Sequence, residues 1–302
     1  LGLALLVLAR GRWRALALVA PAALALHLVG PREEGGLRVT FLAVGHGDAV
    51  VLSSQGQHAL IDGGGVPEGH DTGQRFVLPW LRHERIERLE LAALTHAHPD
   101  HALGLISVLE EVPTKRLWLH AEPGEGPLVN DLLAATAGAE VEEKEAGDEG
   151  LTLGEARLEV LGPPADQSML EGENDRSLVL LVRHREVTVL LTGDVEAAAE
   201  ASLAPGAVTV MKAPHHGSDT SSTPEFVART RPKHVVFCVG RRNRFDFPRA
   251  DVVRRWREVG AQCHRTDVDG AITFVSDGHD VRVEKFAPRP ERQARAWRRR
   301  PE

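Results

Sequence analysis

Apolar positions along the chain fall into short runs separated by glycine, aspartate and charged residues, and the runs change character along its length. Residues 37–44, 49–53 and 58–61 read as strands, because their apolar positions are bounded by polar or glycine-rich breaks. The spacing over 76–82 predicts an amphipathic helix. Strands at 91–94 and 117–120 then alternate with helices at 103–109 and 128–135. Strands at 157–161, 178–183 and 187–191 read as antiparallel neighbours, and apolar runs at 208–212 and 235–237 add two more. The acidic stretch 140–149 predicts a solvated loop. With 302 residues, 42% of them hydrophobic, one large α/β domain is expected and no internal repeat calls for a second.

The first 30 residues break the pattern. Residues 1–9 are apolar, Arg10-Gly11-Arg12-Trp13-Arg14 is basic, and 15–30 are apolar again apart from His27. This reads as the end of one membrane helix, a positive turn and a second helix. The second run falls short of the ~20 residues that span a bilayer, so a signal peptide and an interfacial anchor are the alternatives. The positive-inside rule puts the basic turn in the cytoplasm and sends the residues after Gly30 outside.

The densest chemistry lies in Thr95-His96-Ala97-His98-Pro99-Asp100-His101, directly after an apolar strand. His96 and His98 are two apart, so both rings leave an extended backbone on the same side and can hold one ion. Asp100 and His101 face another direction and suggest a second ion. Helix capping by Asp100 is the competing reading, but a cap does not require three flanking histidines. Two later strands end in ligand types as well: Thr192-Gly193-Asp194, with Asp194 placed to bridge two cations, and Pro214-His215-His216-Gly217-Ser218, where either histidine can ligate. Asp62, in Ile61-Asp62-Gly63-Gly64, is placed to orient a histidine from behind. Nitrogen and oxygen donors without cysteine suit zinc or manganese. A bound cation lowers the pKa of water from about 15.7 to about 7, and two ions about 3.5–4 Å apart stabilise both attacking and leaving oxygens. Hydrolysis then needs no separate nucleophile. Asp100 would orient the attacking water or carry its proton, and Lys212 or His216 would offset charge developing on a phosphate.

The H-x-H-x-D-H pattern at His96, His98, Asp100 and His101 resembles the metallo-β-lactamase superfamily. Further stretches stand in the order found in a narrower group: residues 39–49 with Asp48, 60–64 with Asp62, Asn174-Asp175-Arg176-Ser177-Leu178, 191–194, Lys212-Ala213-Pro214-His215-His216-Gly217-Ser218, Asn243-Arg244-Phe245 and 266–271. Over roughly residues 37–285 the chain is similar to the C-terminal soluble domain of the ComEC/Rec2 competence proteins of DNA uptake. The resemblance implies an α/β fold, an αββα sandwich with an N-terminal apolar helix, and a dinuclear hydrolytic site at one edge. It adds Asp48, Asn174, Ser218, Asn243 and Arg244 around the metals or toward substrate. It divides the chain into membrane-helix remnants at 1–30, a hydrolase domain at 31–287 and a basic tail at 288–302. Competence proteins carry a multi-helix channel beside this domain, and a first residue other than methionine suggests a piece of such a protein.

This chain also departs from that pattern. The third-site histidine of broader superfamily members is replaced by Asn174-Asp175, and histidines common around the proline after Asn-Arg-aromatic give way to Asp246-Phe247-Pro248-Arg249. There is no tyrosine, so no phenol serves as acid or oxyanion donor. Phe245 reads as packing; His46, where the family often has glutamine, reads as loop structure first and a substrate contact second.

A formal net charge of −7 is unlike a free nucleic-acid binder. DNA would need a local basic groove of Lys212, Arg241, Arg242, Arg244 and Arg249, residues that read equally well as solvated surface. Cys238 and Cys263 suit core packing, with an extracellular disulfide as the alternative. The expectation is a membrane-tethered enzyme on the extracytoplasmic side of the cell membrane, using two divalent ions, zinc or manganese, to cut DNA, single-stranded or duplex, during uptake through a channel domain. Hydrolysis of another ester or phosphodiester and a non-catalytic DNA guide are the alternatives.

Overall fold

The computed structural model describes residues 36–286 other than 67, 68, 125 and 137, so the expectations for 1–30 and for the basic tail lie outside the described residues. Strands β1 (Leu37–Phe41), β2 (Val50–Ser54) and β3 (Gln57–Ile61) form an antiparallel meander. Strands β4 (Leu91–Ala93), β5 (Arg116–His120) and β6 (Glu140–Lys144) then add in parallel. Parallel pairing requires crossovers. They are α1 (Leu78–His83), α2 (Pro99–Glu111) and α3 (Pro127–Ala135).

In the second half, β7 (Leu151–Leu153), β8 (Ala156–Gly162), β9 (Val179–His184) and β10 (Val187–Leu191) are antiparallel, as expected for three of them. After α4 (Ala197–Ser202) the pairing turns parallel through β11 (Val210–Lys212), α5 (Pro224–Thr230), β12 (His234–Phe237), α6 (Ala250–Glu258) and β13 (Gln262–Arg265). A short α7 (Thr266–Asp269) leads to β14 (Ala271–Ser276) and β15 (Val281–Phe286), which join the first sheet. The orders are β15-β14-β1-β2-β3-β4-β5-β6 and β13-β12-β11-β10-β9-β8-β7.

Each sheet is buried on both faces. Val39, Leu52, Trp118 and Phe274 of the first sheet meet Leu158, Leu180, Val189 and Val236 of the second. Alternate residues turn outward: Val51, Leu60, Ala92 and Leu117 pack under Leu81, Leu105 and Leu132. Leu181, Leu190, Met211 and Val235 likewise pack under Ala199, Phe226 and Trp256. Each fully buried leucine or phenylalanine contributes roughly 1.5–3 kcal/mol over exposure. The four layers are helices, sheet, sheet and helices, the αββα sandwich of the metallo-β-lactamase fold. Among the described residues, no helix is long and apolar enough to cross a membrane.

Two expectations are corrected. Residues 140–144 of the acidic stretch form edge strand β6, not loop. Partners across and along the strand make this tolerable: from β5, Arg116 Nε lies 3.6 Å from Glu140 and Trp118 Nε1 donates to Glu142 at 3.1 Å, and within β6 Lys144 Nζ lies 2.7 Å from Glu142. The helix placed at 103–109 begins four residues earlier, at Pro99, because proline suits the first helical position and His98 before it is extended (φ −93°, ψ 150°). As for the cysteines, both are free: Cys238 faces the core between the sheets, whereas Cys263 packs against the opposite face of the second sheet.

Candidate metal centre

Because β4 runs parallel to β3, and β11 parallel to β10, the loops after all four strands gather at one edge of the sandwich. Tight backbone docking holds the loop after β3 against the first turn of α2. Gly63 N donates to His101 O at 2.7 Å and Gly104 N to Gly64 O at 2.9 Å. A Cβ on Gly63 would lie 2.0 Å from Leu105 N, so only glycine allows this approach. The dock fixes Asp62 beside His101.

One donor atom each from Asp100, His101, Asp194 and His216 lies within 4.8 Å of every other. His101 Nε2 is 3.2 Å and His216 Nε2 3.1 Å from Asp194 Oδ2, and His216 Nε2 is 3.4 Å from Asp100 Oδ2. His96 Nε2 approaches the same Asp194 oxygen at 4.0 Å and His98 Nδ1 at 3.1 Å, so His98 extends the cluster through His96. Asp194 is therefore the carboxylate common to both halves.

Around these groups lies a shell that aims them. Asp62 accepts from Thr95 N and Thr95 Oγ1, both at 2.8 Å, and its Oδ2 sits 2.8 Å from His101 Nδ1. That contact fixes the ring and leaves Nε2 facing Asp194. Lys212 is 1% exposed, and its Nζ lies 2.7 Å from Asp194 Oδ1, 2.8 Å from Asp48 Oδ2 and 2.7 Å from Gly193 O. Those three acceptors use all its donors. Lys212 thus positions Asp194 and Asp48 from behind, where the sequence suggested a group facing substrate.

Three non-glycine residues here adopt left-handed backbone: Asp62 (φ 60°), His215 (φ 42°) and His216 (φ 54°). Such conformations cost of order 1–3 kcal/mol each and persist where surroundings impose them. The consecutive pair sends its side chains apart. His216 turns inward; His215 turns to Glu196 Oε1 at 2.9 Å and Thr220 Oγ1 at 3.2 Å, outside the cluster.

Charge follows the same division. Burial lowers imidazole basicity, yet Asp194 and Asp62 outweigh it at His101 and raise its pKa well above the usual value. At His216 burial is overcome by Asp194, which raises it to about 9. Burial, with His101 adding repulsion, drives His96 well below the ordinary range. Asp100 is held below the usual carboxylate range: burial opposes this, but the nearby His216 imidazole, 3.4 Å away, and the charge of His101 prevail.

The remaining expected residues serve other purposes. Asn174 Nδ2 donates to Glu196 Oε1 at 3.2 Å, and Asp175 Oδ1 caps α4 by accepting from Glu196 N (2.8 Å) and Ala199 N (3.2 Å). Ser218 Oγ pairs with Thr220 Oγ1 at 2.9 Å within the turn. Asn243 braces its own loop, donating to Phe247 O at 2.7 Å and accepting from Phe247 N at 3.0 Å. Of the residues named for a basic groove, Lys212 is buried, Arg241 Nε donates to Asp267 O at 2.9 Å, Arg249 lies 3.7 Å from both Asp219 and Asp246, and Arg241, Arg242 and Arg244 are exposed. Arg244 does reach the centre, lining a cavity of about 540 Å³ with His46, Gly65, Val66, Pro99, Asp100, Asn243 and Phe245.

Sequence reasoning missed Thr95, Ser177, which accepts from Asp194 N at 3.1 Å, and Phe245 as a cavity wall. Thr95 directly precedes the first histidine, a position no ligand spacing marks. The donor set fits cations. Both ring nitrogens of His216 and one oxygen of Asp48 are buried without a hydrogen-bond partner, and the clustered donors are nitrogen and oxygen only.

A sandwich of this layout, with histidine and aspartate donors gathered at one edge, defines a class. The chain belongs to the metallo-beta-lactamase superfamily, whose family model matches residues 42–241. Within that class it is similar to Recombination protein 2 of Haemophilus influenzae, 31% identical over 83% of this chain and 31% of the relative. It is similar also to ComE operon protein 3 of Bacillus subtilis, 28% identical over 78% of this chain and 32% of the relative. The chain thus spans about a third of the length of these curated relatives. In fold it matches the metallo-beta-lactamase fold protein YhfI from Bacillus subtilis, with a TM-score of 0.54 at 11% identity, covering 80% of this chain and 100% of that one.

Proposed function

We propose that the chain is a metal-dependent phosphodiesterase acting on DNA, tethered to the cell membrane by its N-terminal apolar segment with the domain on the extracytoplasmic side, and working beside an uptake channel. The observation that carries the hydrolase reading is the convergence of Asp100, His101, Asp194 and His216 within 4.8 Å, at the end of the sandwich that opens on the cavity. In this reading His96 and His98 would hold one divalent ion and Asp100, His101 and His216 another, with Asp194 available to either; zinc or manganese would suit these donors. Bound divalent ions supply a water of lowered pKa and offset charge on attacking and leaving oxygens. The protein's own groups do the positioning. Asp62 and Thr95 orient His101, while Lys212, itself paired with Asp48, holds Asp194. Asp100, with 26% of its side chain exposed, reaches the cavity and orients the attacking water. Arg244 on the cavity wall meets the phosphate. The DNA assignment draws support from the similarity to Recombination protein 2 and to the Competence protein ComA of Neisseria gonorrhoeae, and the membrane assignment from the two apolar runs in residues 1–30.

A second reading, hydrolysis of a small phosphodiester or other ester, is favoured by the cavity, whose volume of about 540 Å³ suits a small ligand. Purified protein supplied with zinc or manganese is expected to cut linear DNA and to stop on chelation. Action on bis-p-nitrophenyl phosphate but not on DNA would favour the second reading. DNA binding without cleavage of either substrate would leave a guide and sink both.

A further inference from the structure

One wall of the cavity is aromatic, and it begins at the cluster itself: the His46 ring centroid lies 4.6 Å from that of His216. Phe245 is 42% exposed, and a lone exposed phenyl ring is ordinary on a protein surface. This one is not alone. Its ring stacks on that of Phe247, centroids 5.5 Å apart at 20°, and meets that of His46 at a tilt, 5.0 Å away at 32°. The Arg244 guanidinium carbon lies 4.7 Å from the Phe245 centroid. His46, Arg244 and Phe245 all line the same cavity as Asp100.

The loop bearing these rings is held in place. Asn243 exchanges hydrogen bonds with the Phe247 backbone at 2.7 and 3.0 Å and also donates to Gly240 O at 3.2 Å. A Cβ on Gly240 would stand 2.8 Å from His46 N, so the two loops meet backbone to backbone and the aromatic set is prepositioned. The two phenyl rings carry neither a ligand lone pair nor a proton to move. A flat ring beside a guanidinium is a platform for another flat π system.

We propose that Phe245, His46 and Arg244 form a stacking subsite for one unpaired nucleobase next to the phosphodiester bound at the metal centre. The inference rests on the phosphodiesterase reading and narrows its substrate class. Bases in a duplex stack on their neighbours, and presenting a π face to the protein requires a splayed or single-stranded base. The site is thereby selective for single strands or frayed ends and indifferent to sequence, since every base has a π face. Arg244 is exposed, and its guanidinium lies over the Phe245 ring, where it flanks the base and contacts the adjoining phosphate.

The test uses the full chain in zinc or manganese buffer with a single-stranded oligonucleotide of hydrolysis-resistant phosphorothioate linkages carrying one 2-aminopurine, whose emission is quenched by stacking. Wild type is expected to quench it, Phe245→Tyr to quench it as well, and Phe245→Ala to lose the quench and bind roughly tenfold more weakly. Because Phe245 is half exposed, its truncation does not open the core. Equal quenching and affinity for wild type and Phe245→Ala would overturn the proposal, as would the same quench with the oligonucleotide in a duplex. No bond is cut in this assay. A protein that quenches through Phe245 but hydrolyses neither DNA nor bis-p-nitrophenyl phosphate would therefore overturn the preceding function and keep the subsite; hydrolysis without Phe245-dependent quenching would do the reverse.

Discussion

Two buried histidine pairs in this fold have almost the same ring geometry and opposite chemistry. His101 and His216 lie 5.4 Å apart at 37°, and His234 and His264 lie 5.3 Å apart at 34°. Burial depresses the basicity of all four. Around the first pair Asp62, Asp100 and Asp194 reverse that effect and raise both imidazoles. Around the second, burial acts first and Lys285 adds to it, so His264 falls to about 4 and His234 is also lowered. The second pair makes a single contact with itself, His234 Nδ1 to His264 Nε2 at 3.1 Å, against Phe274, and His264 Nδ1 is left without a hydrogen-bond partner. Burying two imidazoles together does not make a cation site; surrounding them with carboxylates does.

The most damaging way to break this contrast is to remove the shared carboxylate. Asp194→Ala takes away the oxygen facing His101 and His216 and leaves Lys212 with Asp48 as its carboxylate partner. Breaking a buried ion pair costs about 3–5 kcal/mol, and metal content is expected to fall from about two ions per chain to less than one. Denaturant unfolding and elemental analysis check the two parts; unchanged metal content would remove Asp194 from the ligand set. Asp100→Asn comes next. The amide keeps the volume but weakens a ligand and cannot accept a proton, so hydrolysis of bis-p-nitrophenyl phosphate should drop by about 10²–10⁴ with little change in thermal midpoint. A rate equal to wild type would place the reacting water elsewhere. Asp62→Asn is milder, because it only disturbs the group behind His101. Metal affinity measured against a competing chelator should weaken about 10–100-fold, and an undisturbed affinity would show that His101 needs no orienting carboxylate.

The contrast between the pairs explains what could be read from the chain. His96, His98, Asp100 and His101 fall within six residues spanning a loop and the first turn of α2, so their spacing alone announced a metal site, and the β-α alternation around them gave the layers. His234 and His264 are 30 residues apart and meet through parallel pairing of β12 and β13, which no local pattern encodes. The choice between His215 and His216 was equally hidden, since two consecutive left-handed residues decide it. Lys212 looked like a phosphate contact because charge near a motif reads as function. Its burial between Asp48 and Asp194 depends on strand ends that lie far apart in sequence. Strand β6 was missed because acidic composition argues for solvent, whereas Arg116, Lys144 and Trp118 supply the partners.

The smallest expected effect sharpens the comparison by pH. With metal chelated, the two pairs should tilt stability in opposite directions. His264 has a folded pKa of about 4 against an ordinary 6.5, so its stabilising contribution is present above 6.5 and is lost as pH falls toward 4. His216 has a folded pKa of about 9, so its contribution is present below 6.5 and is lost as pH rises through 9. Thermal midpoints across that range should show His264→Gln flattening the acid slope and His216→Gln flattening the alkaline one. Each change should be on the order of a few degrees, because 1 kcal/mol moves a domain of this size by about 2–4 °C. His264→Gln should leave metal content at the wild-type level, as should replacement of His279, which is exposed and pairs with Glu186 at 3.1 Å. If His264→Gln instead leaves the acid slope unchanged, or strips metal from the protein, the carboxylate shell is not what separates the two pairs.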